Sequence, residues 1–113
     1  MDKVAKYRDI IKTALKRHYW KSENTAEEYD DQLVMDDANG HYFIIGVGWQ
    51  GSKRVHGISV HLDLKGEKIW IQQDYTERGI ANDLIELGVP KSDIVLAFHA
   101  PARRQYLEEF AMA

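Results

Sequence analysis

The stretch "HYFIIGVGWQGSKRVHGISVHL", residues 41–62, decides the fold. Its β-branched and aromatic residues read as two strands, and Gly51-Ser52 between them reads as a two-residue turn. Three glycines, Gly46, Gly48 and Gly57, interrupt the strands. A glycine inside a strand costs roughly 0.5–1 kcal/mol relative to alanine. Their clustering therefore predicts a place where another surface comes close to the backbone.

Working outward, the signals extend the hairpin into a meander. Strands are expected near Tyr29–Asp36, Tyr42–Trp49, Arg54–Leu64 and Lys68–Asp74. Asn39-Gly40 marks the first turn, and Lys65-Gly66 the third. With these turns Phe43 faces Val60, Ile45 faces Ile58, Leu62 faces Ile69 and Val60 faces Ile71. That register makes one face aliphatic and suited to helices. The other face then carries Leu33, Met35, Tyr42, Ile44, Gly46, Gly48, Val55, Gly57, Ser59, His61 and Trp70.

Before the sheet, Val4, Tyr7, Ile11, Ala14, Leu15 and His18 fall at helical spacing and predict an amphipathic helix ending near Trp20 to Ser22. After it, "TERGIANDLIELGVP" predicts a helix with Thr76 as N-cap, Ile80, Leu84 and Ile85 as its apolar stripe, and Gly88 and Pro90 as its stop. "SDIVLAFHAP" fits either a short helix capped by Ser92 or a buried strand over Ile94–Phe98. Pro101 tips the reading to a helix. "PARRQYLEEF" reads as a last helix, with proline in its first turn. The expected class is α+β: an N-terminal helix, a four-stranded antiparallel meander sheet, then two or three short C-terminal helices. The 113 residues are enough for a single domain, 1–113.

Composition narrows the function. There are no cysteines, so disulfides, thiol nucleophiles and Cys-ligated metals are excluded. The N-terminal "MDKVAKYRDIIK" alternates charged and apolar residues and predicts neither a signal peptide nor a membrane span, in keeping with a cytoplasmic protein. The formal net charge of -3 argues against a protein that lives on nucleic acid. The charges are segregated, however. Lys3, Lys6, Arg8, Lys12, Lys16, Arg17 and Lys21 crowd the first helix, while only acids stand from Glu23 to Asp37. Two solvated faces that neutralise each other account for this, and a DNA-binding helix is the alternative.

No catalytic motif is present. "GVGWQG", Gly46 to Gly51, has dinucleotide-loop spacing but lies in a hairpin, the wrong context for that loop. No zinc-ligand spacing stands out, and no cofactor is expected. His61, Asp63, Gln72 and Asp74 form the best polar constellation, on neighbouring strands. A His–Asp pair can orient a general base, but a polar rim is the plainer reading. The second sheet face needs a cover. Either the C-terminal segment supplies it through Tyr106, Leu107 and Phe110, or another chain does. The second option makes Ile44, Gly46, Gly48, Val55, Gly57 and Trp70 a partner or oligomer interface, in a homodimer or a hetero-complex.

The motifs along the chain resemble the XisI family, the fdxN element excision controlling factors of cyanobacteria. The resemblance is carried by Val47–Trp49, Arg54–Gly57, His61–Asp63, Lys68–Asp74, Thr76–Ala81, Gly88–His99 and Arg104–Ala113, together with Tyr7-Arg8 and Ile10-Ile11 in the first helix. It departs from the family pattern at Ala97 and in "YLEEFAMA". It implies a non-enzymatic accessory factor for excision of a DNA element, working beside a site-specific recombinase and an XisH-like companion protein. It supplies no catalytic residues. Direct DNA binding through the first helix, or a small enzyme around His61 and Asp63, are the readings from other classes.

Overall fold

The structure, a computed structural model, describes residues 2–19, 28–104, 107 and 109–113. Helix α1 (Lys3–His18) begins where the Asp2 carboxylate accepts the Val4 N–H at 3.1 Å, and Tyr19 caps its end. The expected end at Trp20 to Ser22 lies outside the described residues. Strands β1 (Glu28–Asp36), β2 (His41–Gln50), β3 (Lys53–Lys65) and β4 (Lys68–Asp74) follow as an antiparallel meander. Helix α2 (Ile80–Glu86), a 3-10 turn (Lys91–Asp93), strand β5 (Ile94–Val95) and the one-turn helix α3 (Pro101–Arg104) complete the chain.

The class is α+β with an N-terminal helix, but the sheet has five strands in the order β1-β2-β3-β4-β5 and is mixed. The expected helix at "SDIVLAFHAP" is replaced by the 3-10 turn and by β5, which pairs parallel to β4 through Ile69–Ile94 and Trp70–Val95. Ile94 and Val95 are both fully buried. Helix α2 supplies the crossover that a parallel pair requires. A β-branched pair entering the core beside a strand edge gains ladder hydrogen bonds as well as burial. Pro101 begins α3 rather than ending a helix before it.

The turns are close to expectation, with two differences. The β1–β2 loop is four residues long, because Asp36 pairs with His41. Gly40 in that loop has φ +73°, and its carbonyl accepts the Leu64 N–H at 2.8 Å. The β3–β4 turn is Gly66-Glu67 rather than Lys65-Gly66, since Lys65 pairs with Lys68. Both turn residues have positive φ, as a type I′ hairpin needs.

The larger correction concerns the register. Near the Gly51-Ser52 turn the expectation holds: Ile45 pairs with Ile58, and Gly46 with Gly57. Ser59 is then bulged out, so Ile44 pairs with Val60 and Phe43 with His61 rather than with Val60. On β4, Gln72 is bulged in the same way. Between that bulge and the Gly66-Glu67 turn, the turn sets the register, so Leu62 faces Ile71 and Leu64 faces Ile69. An extra residue in one strand reverses the side on which every later side chain points.

The helix-covered face thus carries Tyr42, Ile44, Val60, Leu62, Ile69 and Ile71, each at most 1% exposed. Tyr7, Ile11, Ala14 and Leu15 of α1 and Ile80 and Leu84 of α2 pack against them in one core. The helices are clasped together at Asp83 of α2, which meets His18 and Arg17 of α1. Phe110 packs against this same core, and Leu107 is half-buried. Tyr106, the third residue expected to cover a sheet face, lies outside the described residues.

Candidate functional site

The sheet face turned away from α1 and α2 follows from the alternation of the strands. Val34 on β1, Phe43, Ile45, Val47 and Trp49 on β2, Ile58 on β3 and Trp70 on β4 point to it. Val34 and Trp49 are exposed, and the others are half-buried. Arg54 stacks over Trp49 at 5.3 Å, while Lys65 and Arg104 flank the Trp70 ring at 4.7 and 5.8 Å. An aliphatic and aromatic centre with cations at its rim is the composition of an interface.

The six residues expected to form a partner interface do not share this face. Ile44 belongs to the core, 1% exposed. Gly46, Gly48, Val55 and Gly57 lie on the helix side of the sheet, toward the β2–β3 hairpin tip, and Trp70 alone points to the open side. The glycines have local reasons. Gly48 has φ +144°, a backbone that side chains rarely adopt. At Gly46 a Cβ would lie 3.5 Å from both Asp31 and Val55, ordinary contact distances. At Gly57 a Cβ would meet no described atom within 4 Å.

The polar constellation is rearranged in a similar way. His61 and Asp63 do share the open face, two residues apart on β3. Gln72 donates to Asp63 Oδ2 at 3.1 Å. Asp74 lies apart, where its carboxylate accepts the Thr76 N–H at 2.9 Å and the Ile80 N–H at 2.9 Å, organising the entry to α2. Thr76 itself accepts the Gly79 N–H at 3.0 Å, and Gly79 rather than Thr76 is the residue that precedes the helix. Arg104 is likewise structural, donating to the carbonyls of His99, Ala97 and Met112.

In place of Asp74 the structure brings in His41, the first residue of β2 and the cross-strand partner of Asp63. His41 Nδ1 lies 2.7 Å and His61 Nε2 2.8 Å from the same atom, Asp63 Oδ1. The Phe43 ring meets the His61 ring edge-on at 5.7 Å and helps fix its tilt. Burial acts to raise the Asp63 carboxyl, but the hydrogen bonds from His41 and His61 prevail and hold it below the usual carboxylate range. The same hydrogen bond to Asp63 raises His41. Two imidazole nitrogens and one carboxylate oxygen converging on one point can hold a proton, orient a ring or embrace a cation. His41 was missed because an unbulged register places it on the opposite face from His61. The spacing of His41 and Asp63 about the two-residue turn was the available signal, and it reads correctly only once Ser59 is counted out.

A mixed sheet with α1 and α2 packed on one of its faces defines the class: a small α+β domain. The model of the XisI protein family matches residues 1–112, and the chain belongs to that family. Two solved structures are similar over nearly all of it. One is a XisI-like protein from Anabaena variabilis ATCC 29413, 37% identical, with a TM-score of 0.87 and coverage of 97% of this chain and 99% of that one. The other is the fdxN element excision controlling factor XisI from Anabaena variabilis ATCC 29413, also 37% identical, with a TM-score of 0.85 and coverage of 99% and 100%. No curated protein matches. Among the described residues no helix is long and apolar enough to cross a membrane.

Proposed function

We propose that this protein is a non-enzymatic accessory factor controlling excision of a DNA element by a site-specific recombinase, and that it works by docking a protein partner on its open sheet face. The observation that carries the reading is that face, bare of α1 and α2, in a chain matched end to end by the XisI family. The partner is an XisH-like companion protein. Interfaces that persist bury more than about 1,000 Å² in total, and a four-strand face with two tryptophans is large enough to contribute its half.

Ile58 lies near the centre of the face and points outward. Ile58→Glu is expected to leave the fold and thermal midpoint nearly unchanged and to weaken association with the co-expressed companion by about 100-fold, as central apolar anchors do. Co-purification and light scattering measure this. Association at wild-type strength in a folded Ile58→Glu variant would overturn the docking surface. A wild-type protein that forms only a homodimer through this face would overturn the companion as its occupant.

The charge pattern of α1 opposes direct DNA binding. Lys12 pairs with Asp37 at 2.8 Å, Arg17 with Asp83 at 3.2 Å and Lys3 with Asp93 at 2.8 Å. These cations are engaged by acids of the same chain, one of which, Asp37, belongs to the acidic stretch after the helix. The purified protein is expected to bind duplex DNA no tighter than about 10⁻⁵ M at physiological salt, the non-specific range. Nanomolar binding that Lys12→Glu abolishes, read by fluorescence anisotropy, would put the DNA reading first.

A further inference from the structure

We propose that His41, His61 and Asp63 form a binding site for a single divalent transition-metal ion of the zinc class. The ligand atoms, His41 Nδ1, His61 Nε2 and Asp63 Oδ1, all lie within 4.8 Å of one another. In a tetrahedral zinc site the metal–ligand distances are about 2.0–2.2 Å, which puts neighbouring ligand atoms about 3.3–3.6 Å apart. The two contacts to Asp63 Oδ1, 2.7 and 2.8 Å, must therefore open by about 0.5–0.9 Å to admit the ion. Small rotations of the two imidazoles suffice, with each ring presenting the lone pair of that nitrogen to the ion and carrying its proton on the other ring nitrogen.

The site rests on rigid elements. His41 and Asp63 are directly cross-strand, and His61 sits two residues from Asp63 on the same strand and face. Gln72 donates to Asp63 Oδ2, which orients the carboxylate and leaves Oδ1 for the ion, the arrangement that supports ligating carboxylates elsewhere. The Phe43 ring at 5.7 Å packs the His61 imidazole in place. The donor set selects the metal. Imidazole suits zinc, cobalt, nickel and copper, whereas calcium and magnesium prefer an all-oxygen shell. The His41 side chain is 52% exposed, so a fourth position stays open to water. Three protein ligands with one open position is the pattern of an accessible site rather than a closed structural one.

The test uses the full chain, stripped with chelator and titrated with cobalt(II), followed by zinc competition. Bound cobalt is expected to show tetrahedral visible absorption that saturates at one ion per chain, with a dissociation constant below about 10 µM, and zinc is expected to displace it. His61→Ala and His41→Ala should each weaken binding by about 100-fold, while His56→Ala, on the same strand but outside the cluster, should bind as the wild type does. His41 is exposed at the start of its strand, so His41→Ala keeps the test interpretable if His61→Ala fails to fold. Failure of the wild type to take up cobalt or zinc at 100 µM, or unaltered uptake by folded His41→Ala, would overturn the site.

Discussion

Replacing Asp83 with alanine is expected to destabilise the protein by about 2–3 kcal/mol near neutral pH, less than the cost of breaking a fully buried ion pair because its partners Arg17 and His18 are partly exposed. Asp83 is 1% exposed, on the inner side of α2. His18 Nε2 lies 2.6 Å from one of its oxygens, and Arg17 lies 3.2 Å from the other. The carboxylate joins α1 to α2, so its loss takes from His18 this partner and leaves Arg17 with Glu86 at 3.4 Å. Burial acts to raise this carboxyl, yet the hydrogen bonds from His18 and Arg17 prevail and hold it below its ordinary value. A carboxyl depressed by folding contributes stability that is fully present above its unfolded pKa, about 4, and is lost as the pH falls through the folded value. Urea unfolding should therefore show the full Asp83→Ala deficit at pH 7 and a deficit that shrinks progressively as the pH falls below about 4 toward the folded value. An equal deficit at both would mean that packing, rather than charge, sets the role of Asp83.

Gly40→Ala is expected to cost about 3 kcal/mol, because backbone strain and overpacking act at the same position. Its φ of +73° disfavours any side chain. A Cβ there would stand 2.5 Å from the Leu64 carbonyl oxygen, a backbone atom that cannot swing aside. That carbonyl belongs to the strand whose N–H bonds back to Gly40, so relief of the clash pulls on the β2–β3 ladder. Gly57→Ala serves as the control. It meets no described atom within 4 Å and should change stability by no more than about 0.5 kcal/mol. Thermal unfolding of the two variants separates a glycine demanded by close approach from one that is merely tolerated. Equal midpoints would show that the β1–β2 turn relaxes freely.

Much of the architecture was legible in the residues themselves. The stripe of α1, the four meander strands and the two-residue turn at Gly51-Ser52 follow from local periodicity and turn chemistry, which act within a few residues. The resemblance to the XisI family was legible for the same reason, since its motifs are short and contiguous.

Two things were decided only in three dimensions. Ile94-Val95 has the composition of either a buried helix turn or a strand, and the edge of β4 settled it by offering unpaired backbone groups to a segment that α2 returned alongside. The bulges at Ser59 and Gln72 leave no mark on the alternation of the sequence, yet each reverses one strand. The Ser59 bulge carries Val60 and Leu62 into the core beside Tyr42 and Ile44, and leaves Phe43, Ile45 and Ile58 on the open face. The same bulge sets His61 and Asp63 beside His41. The residue types on both faces were plain from the chain. Which face each joined depended on where the pleat was broken, and that was decided by packing the aliphatic side chains of two strands under the helices at once.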